Sequence, residues 1–241
     1  MTVTVDVPVP RRALAVGAHP DDIEFGCGAT LAKWADAGAH ITMCVCTDGA
    51  KGTWERDADL GALVARREVE QRDAGVVLGA DDVELLRFVD GELVDNMSAR
   101  AAVCRVIRRT RPDIVLGHDP WRPYRLHPDH REAGFLTIAA IVAARDPHFF
   151  PEQGLPPHRP ATLLCFEPAR VTHVENVDTY VGRKVEALLA HRSQWRSTMG
   201  IDDRPEEQRA VFAARLHSEA RVNGLRAGCR GAEVFARIDD L

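Results

Sequence analysis

The chain has 241 residues, 45% hydrophobic and 28% charged, with a formal net charge of −5. That is ordinary for a soluble globular protein, and long enough to bury a core without disulfides or a structural metal. The mild acidity, with no basic stripe, argues against a nucleic-acid partner, and Arg105, Arg108, Arg109 and Arg111 read as the wet face of a helix.

Met1 to Arg12 shows no secretory signal. The run Leu14 to Ala18 then reads as a buried strand that ends abruptly at His19-Pro20. A helix is expected over Gly26 to Ala39, closed near Gly38, and a second buried strand over Ile41 to Cys46. Cys44 and Cys46 share one face of that strand. The six cysteines show no paired zinc spacing, and they read as reduced core residues rather than a redox pair. Asp59 to Leu78 is an amphipathic helix stopped by Gly79, and Val83 to Phe88 a third strand before the turn Asp90-Gly91. Ser98 is the expected N-cap of a helix with the stripe Val103, Val106, Ile107, ended by Pro112. Ile114 to Gly117 is a fourth strand. A helix starts near Pro128 and carries the longest apolar run, Ala133 to Ala144, which is too short to span a bilayer. Thr162 to Phe166 is a fifth strand, Asp178 to Ser197 and Pro205 to Leu225 are helices, and Val234 to Ile238 is a short last strand. The proline-rich connection Arg145 to Pro160 is expected to be irregular. It and residues 119–126 are candidates for shaping specificity.

Strands alternating with helices predict an α/β fold, a Rossmann-like, mostly parallel sheet flanked by helices on both faces. One domain is expected over 1–241, with a core at 13–200 and a C-terminal helical extension at 201–241. Ligands in such sheets bind beyond the carboxyl ends of the strands, and two motifs lie there. His19-Pro20-Asp21-Asp22, with Glu24 close behind, offers an imidazole and hard oxygens suited to zinc. Asp-Asp before a helix also serves as ordinary capping and dipole pairing. His127-Pro128-Asp129-His130 opens a helix, where residues three apart share a face and can converge, and Asp129 is placed to orient an imidazole. Together they describe three protein ligands and an open place for water. A metal there would acidify that water to a pKa of about 7 and polarise a carbonyl, and a nearby carboxylate would move its proton. Spacing alone leaves open which aspartate and which histidine takes each role.

The pair HPDD and HPDH resembles the LmbE / PIG-L family of zinc-dependent N-acetylglucosaminyl-type deacetylases, relatives of the mycothiol and bacillithiol pathway deacetylases. Thr47-Asp48-Gly49, Arg67 through Glu70, Asp90-Gly91-Glu92 and Lys184 through His191-Arg192-Ser193-Gln194 extend the likeness over roughly residues 13 to 200. With no secretory signal and no run long enough to span a bilayer, a cytoplasmic protein is expected. The resemblance implies a hydrolase that removes an N-acetyl group from a small GlcNAc-like substrate by attack of a metal-activated water. It implies His19, Asp22 and His130 as ligands of Zn2+, though Fe2+ could occupy the same set. Asp21 would be the general base, and His127 the acid or oxyanion stabiliser with Asp129 holding its ring. Arg67 would anchor substrate, Asp48 would support the site, and Tyr124 would stand near the oxyanion, although its offset from His127 fits the family poorly. A small sugar-like substrate is the implied partner, with no nucleic acid and no membrane, and a homo-oligomer is compatible.

His118-Asp119-Pro120 reads equally as pocket lining or as strand-end turn chemistry, and His173 as a structural histidine. Three other functions compete. A phosphoesterase, or another amidase, could use similar ligands, but phosphoesterases often need two bridged metals. A nucleotide module lacks both its Gly-x-Gly-x-x-Gly turn and a Walker-type motif. A non-catalytic binder would have lost the base or a ligand, and all expected positions are filled.

Overall fold

The computed structural model describes residues 3–241. In chain order its elements are β1 (Thr4–Val5), β2 (Arg12–Gly17), α1 (Asp22–Asp36), β3 (His40–Thr47), α2 (Leu60–Leu78), β4 (Asp82–Phe88), α3 (Met97–Thr110) and β5 (Ile114–His118). These are followed by α4 (Pro128–Arg145), β6 (Thr162–Phe166), β7 (His173–Asn176), α5 (Val181–Ala190), α6 (Pro205–Gly224) and β8 (Ala232–Asp239). The strands form one sheet in the order β1-β7-β8-β6-β5-β2-β3-β4. All pairings are parallel except those of β8, which lies antiparallel between β6 and β7. The C-terminal extension is therefore not merely helical: its last strand completes the middle of the sheet.

Side chains alternate across the sheet with a period of two. Ala13, Ala15, Ile41, Met43 and Val45 face a core built with Leu31, Trp34, Ala74 and Leu78 of α1 and α2. Leu14, Val16, Cys44 and Cys46 face the opposite core, built with Val103 and Ile107 of α3 and Leu136 and Ala140 of α4. With both faces covered, the central strands need the continuous apolar runs that the sequence shows. Cys44 and Cys46 are packed in that second core and, like the other four cysteines, are free.

Several boundaries differ from the sequence expectation. The first helix starts at Asp22, four residues before Gly26, because the chain turns at once after Asp21; a break in helical geometry falls at Cys27. Asn96 rather than Ser98 caps α3, its side chain accepting from the amide of Ala99. The helix expected over 178–197 ends at Ala190 and continues as irregular turns through Met199. The connection after α4 contains a short 3-10 turn, Pro151–Gln153. Buried Arg108 holds it by donating to the carbonyls of Ala143, Ala144, Asp146, Phe149 and Phe150. His158 packs onto the carbonyl of Pro112, ahead of the amino end of β5. That connection thus sits at the amino edge of the strands, opposite the edge that carries the two histidine motifs.

Candidate active site

Strand order reverses direction at β2, whose neighbours are β3 on one side and β5 on the other. The crevice at such a switch point is where open α/β sheets bind ligands. His19 to Asp22 follow β2 there, and His118 closes β5. Asp90 follows β4, and His127 and Asp129-His130 stand at the start of α4. The side chains meet closely. Asp22 Oδ2 lies 3.2 Å from His19 Nδ1, and Asp22 Oδ1 lies 3.2 Å from His130 Nε2. His19 Nε2 is 3.1 Å from Asp90 and 3.2 Å from Asp129. The rings of His19 and His127 are 4.5 Å apart, and those of His127 and His130 are stacked at 5.0 Å.

Three groups of side chains are spaced to hold a metal ion: His19 with His127 and His130, Asp22 with His118 and His130, and His19 with Asp90 and Asp129. They share members and form one continuous cluster. His118 is the least available, because its Nε2 accepts the amide of Ala18 at 3.2 Å and its Nδ1 faces the Arg125 guanidinium at 3.1 Å.

The electrostatics call for a cation. Burial works against a charged His19, but hydrogen bonds to Asp129, Asp22 and Asp90 outweigh it and push its pKa up to about 12. A proton on that imidazole supplies the positive charge that three converging carboxylates require, and a metal ion would answer the same need. The donor set, imidazoles with carboxylates, fits zinc or ferrous iron. Asp21 is buried, and loss of solvent raises its pKa to about 6 even though the Arg67 guanidinium 3.5 Å away pulls it down. Burial and the neighbouring His19 and His130 hold His127 below the ordinary imidazole range.

The structure corrects the expectation for Asp129. It does not hold the ring of His127: Oδ2 meets His19 and the amide of Gly91 at 2.6 Å, and Oδ1 accepts from Leu93. The side chain points back to the loop after β4. Arg67 is 3% exposed, and its two terminal nitrogens donate to the carbonyls of Gly49 and Pro20. It has no free fork to offer a substrate. Asp48 accepts from the amides of Ala50 and Asp90, carrying the segment that presents Asp90. Tyr124 is 97% exposed.

His173 is structural, bridging Glu175 and Thr4. Asp119 performs turn chemistry, accepting from Trp121 and Ala169. Sequence reasoning missed Asp90 and Arg125 as members of the cluster. For Asp90 the signal was an Asp-Gly turn at a strand's carboxyl end. For Arg125, 3.3 Å from His130 and paired with Glu167, no local pattern marked it.

Residues 14–141 match the family of PIG-L, GlcNAc-PI de-N-acetylase. The chain belongs to the PIG-L family. It is 32% identical to the diacetylchitobiose deacetylase of Thermococcus kodakarensis, over 92% of this chain and 81% of that protein. It is 29% identical to the 1D-myo-inositol 2-acetamido-2-deoxy-alpha-D-glucopyranoside deacetylase of Thermobispora bispora, over 90% of this chain and 78% of that protein. The solved N,N'-diacetylchitobiose deacetylase of Pyrococcus horikoshii superposes with a TM-score of 0.85 at 28% identity, covering 95% of this chain and 84% of that one. The mostly parallel mixed sheet flanked by helices is the fold of that solved deacetylase.

Proposed function

We propose that this protein is a metal-dependent hydrolase that removes the acetyl group from the amide nitrogen of a small GlcNAc-like sugar. The observation that carries the reading is Asp22, one carboxylate oxygen on His19 and the other on His130, at the switch point of the sheet. The named substrates of its relatives, all acetamido sugars, support the substrate class.

His19, Asp22 and His130 would hold the metal, for which zinc is the proposed identity. A bound cation would polarise the acyl carbonyl and acidify the attacking water. Asp21 takes the proton of that water and returns it to the leaving amine; a carboxyl with a pKa near 6 can do both close to neutral pH. His127, neutral at that pH, keeps one N–H with which to hydrogen-bond the developing oxyanion. Asp129 and Asp90 orient His19 from behind. No helix among the described residues is long and apolar enough to cross a membrane, and six free cysteines suit a reducing compartment such as the cytoplasm.

The test is metal content with free-amine release from N-acetylglucosamine and N,N'-diacetylchitobiose in the same samples. Asp21→Ala should keep about one metal per chain and lose most turnover, roughly 100-fold or more on the scale of a lost general base. His130→Ala should lose the metal. Full turnover in the first variant, or full metal content in the second, would assign those roles elsewhere.

A further inference from the structure

Behind the proposed base lies a line of buried polar groups that the chemistry above does not use. Arg67 and Gln71 stand one turn apart on α2, so their side chains share a face. Gln71 is fully buried. Arg67 Nη2 donates to the carbonyl oxygen of Pro20 at 2.5 Å, and Gln71 Oε1 accepts the amide hydrogen of Asp21 at 3.1 Å. Those two atoms belong to a single peptide group, which is planar and rigid. Gripping both ends fixes the rotation of that plane.

Asp21 leaves the plane at φ +104°, ψ −23°, a conformation that L side chains avoid at a cost of order 1–3 kcal/mol. Its carboxylate makes no helix-capping hydrogen bond, although it occupies the capping position of α1. Turning the peptide over to relieve φ would leave Arg67 Nη2 and Gln71 Oε1 without their partners in the interior. Gln71 cannot follow by turning its own amide. Its Nε2 donates to Glu24 Oε1 at 2.5 Å, and a turned amide would set its own oxygen against that oxygen. Glu24 is itself fully buried, with His191 Nε2 at 3.4 Å and its second oxygen unpartnered.

We propose that Gln71, held by Glu24, is a positioning residue that clamps the Pro20–Asp21 peptide together with Arg67 and thereby aims the Asp21 carboxylate. The proposal rests on Asp21 being the base. Gln71→Met removes both hydrogen bonds at similar volume. The exchange Glu24→Gln with Gln71→Glu restores them with polarity reversed: residue 24 donates to residue 71, which still accepts from Asp21.

With zinc-loaded protein and N,N'-diacetylchitobiose as the probe, Gln71→Met should keep its metal and a KM within twofold, while kcat falls at least tenfold. Gln71→Asn, a milder change that keeps the fold testable, should show the same split. The exchange should bring kcat back to within threefold of the parent. In an Asp21→Ala background, Gln71→Met should cost nothing more. A crystal structure of Gln71→Met should show the peptide turned over and a negative φ at Asp21. An unchanged kcat, a loss that the exchange does not restore, a further loss on top of Asp21→Ala, or an unmoved peptide would each overturn the clamp. Full turnover in Asp21→Ala alone would remove the base reading and the clamp with it, and that result is read without reference to Gln71.

Discussion

At the scale of single residues, the site trades stability for chemistry at Asp21. Its folded pKa is raised to about 6, above the ordinary carboxylate value of 3.8, chiefly by burial. The folded state therefore holds this proton more tightly than the unfolded chain. The stability this confers is full below pH about 4 and is lost as pH rises through 6. Ionised Asp21 then weighs against folding by about 1–3 kcal/mol. Asp21→Asn should make the metal-free protein more stable than the parent at pH 8, by several degrees in Tm, with the gap closing by pH 4, while turnover of the loaded enzyme collapses. Thermal melts at the two pH values decide this; equal melting at pH 8 would mean that the carboxylate is solvated. The residues that carry the proposed chemistry were legible because motif and strand end coincide: His19, Asp21, Asp22, His127 and His130 all fall in two four-residue runs. What those side chains lean on was less legible. Asp129 serves His19 rather than His127, and Gln71 and Arg67 serve Asp21, through contacts that join distant parts of the chain.

At the scale of elements, hydrophobic periodicity announced the strands that bury both faces and missed those held by edges and pairs. The two-residue β1 is too short to show a period, and it is fixed by Thr4 on His173 and by Asp6 with Glu175 on Lys33. The antiparallel insertion of β8 depends on the register of β6 and β7, which no local pattern records. The break in α1 at Cys27 is likewise a tertiary product. Gly26 must pass close to β6, where a Cβ would lie 2.5 Å from the Phe166 ring, so the helix interrupts its ladder there. The freed groups are met from two other elements. Glu233 of β8 accepts the amides of Ala29 and Thr30, and Lys184 of α5 donates to the carbonyl of Phe25 and pairs with Glu233 at 2.7 Å. Glu233→Ala would strip buried Lys184 of its carboxylate and leave the amides of Ala29 and Thr30 without partners, a loss of about 3–5 kcal/mol. For a chain of this size that lowers Tm by roughly 6–20 °C. Arg215→Ala, on the exposed face of α6, is the control and should shift Tm by no more than a degree or two. Similar melting of the two variants would show that the break in α1 is held by packing alone.

At the scale of the whole molecule, the carboxyl edge of the sheet is where its two halves are tied. The cluster takes His19 from the turn after β2, Asp22 from the start of α1, Asp90 from the loop after β4, His118 from β5 and His130 from α4, so one cation would bridge segments more than a hundred residues apart. Without it, a proton on His19 does this work, since hydrogen bonds to Asp129, Asp22 and Asp90 overcome burial and keep that ring charged. Metal and proton therefore compete for one place. Loading should release a proton, and apparent zinc affinity should tighten by up to tenfold per pH unit between pH 6 and 8. Calorimetry in buffers of different ionisation enthalpy counts the proton directly. Zinc at one hundred times its dissociation constant should add about 2.7 kcal/mol to stability. The gain should be local as well as global. Hydrogen exchange should slow at 17–24, 88–93 and 127–131 on loading, and stay unchanged in the connection after α4, which Arg108 and Pro112 anchor at the opposite edge. Zinc affinity that does not vary with pH would mean that no proton leaves His19 on loading, and would exclude His19 from the ligand set.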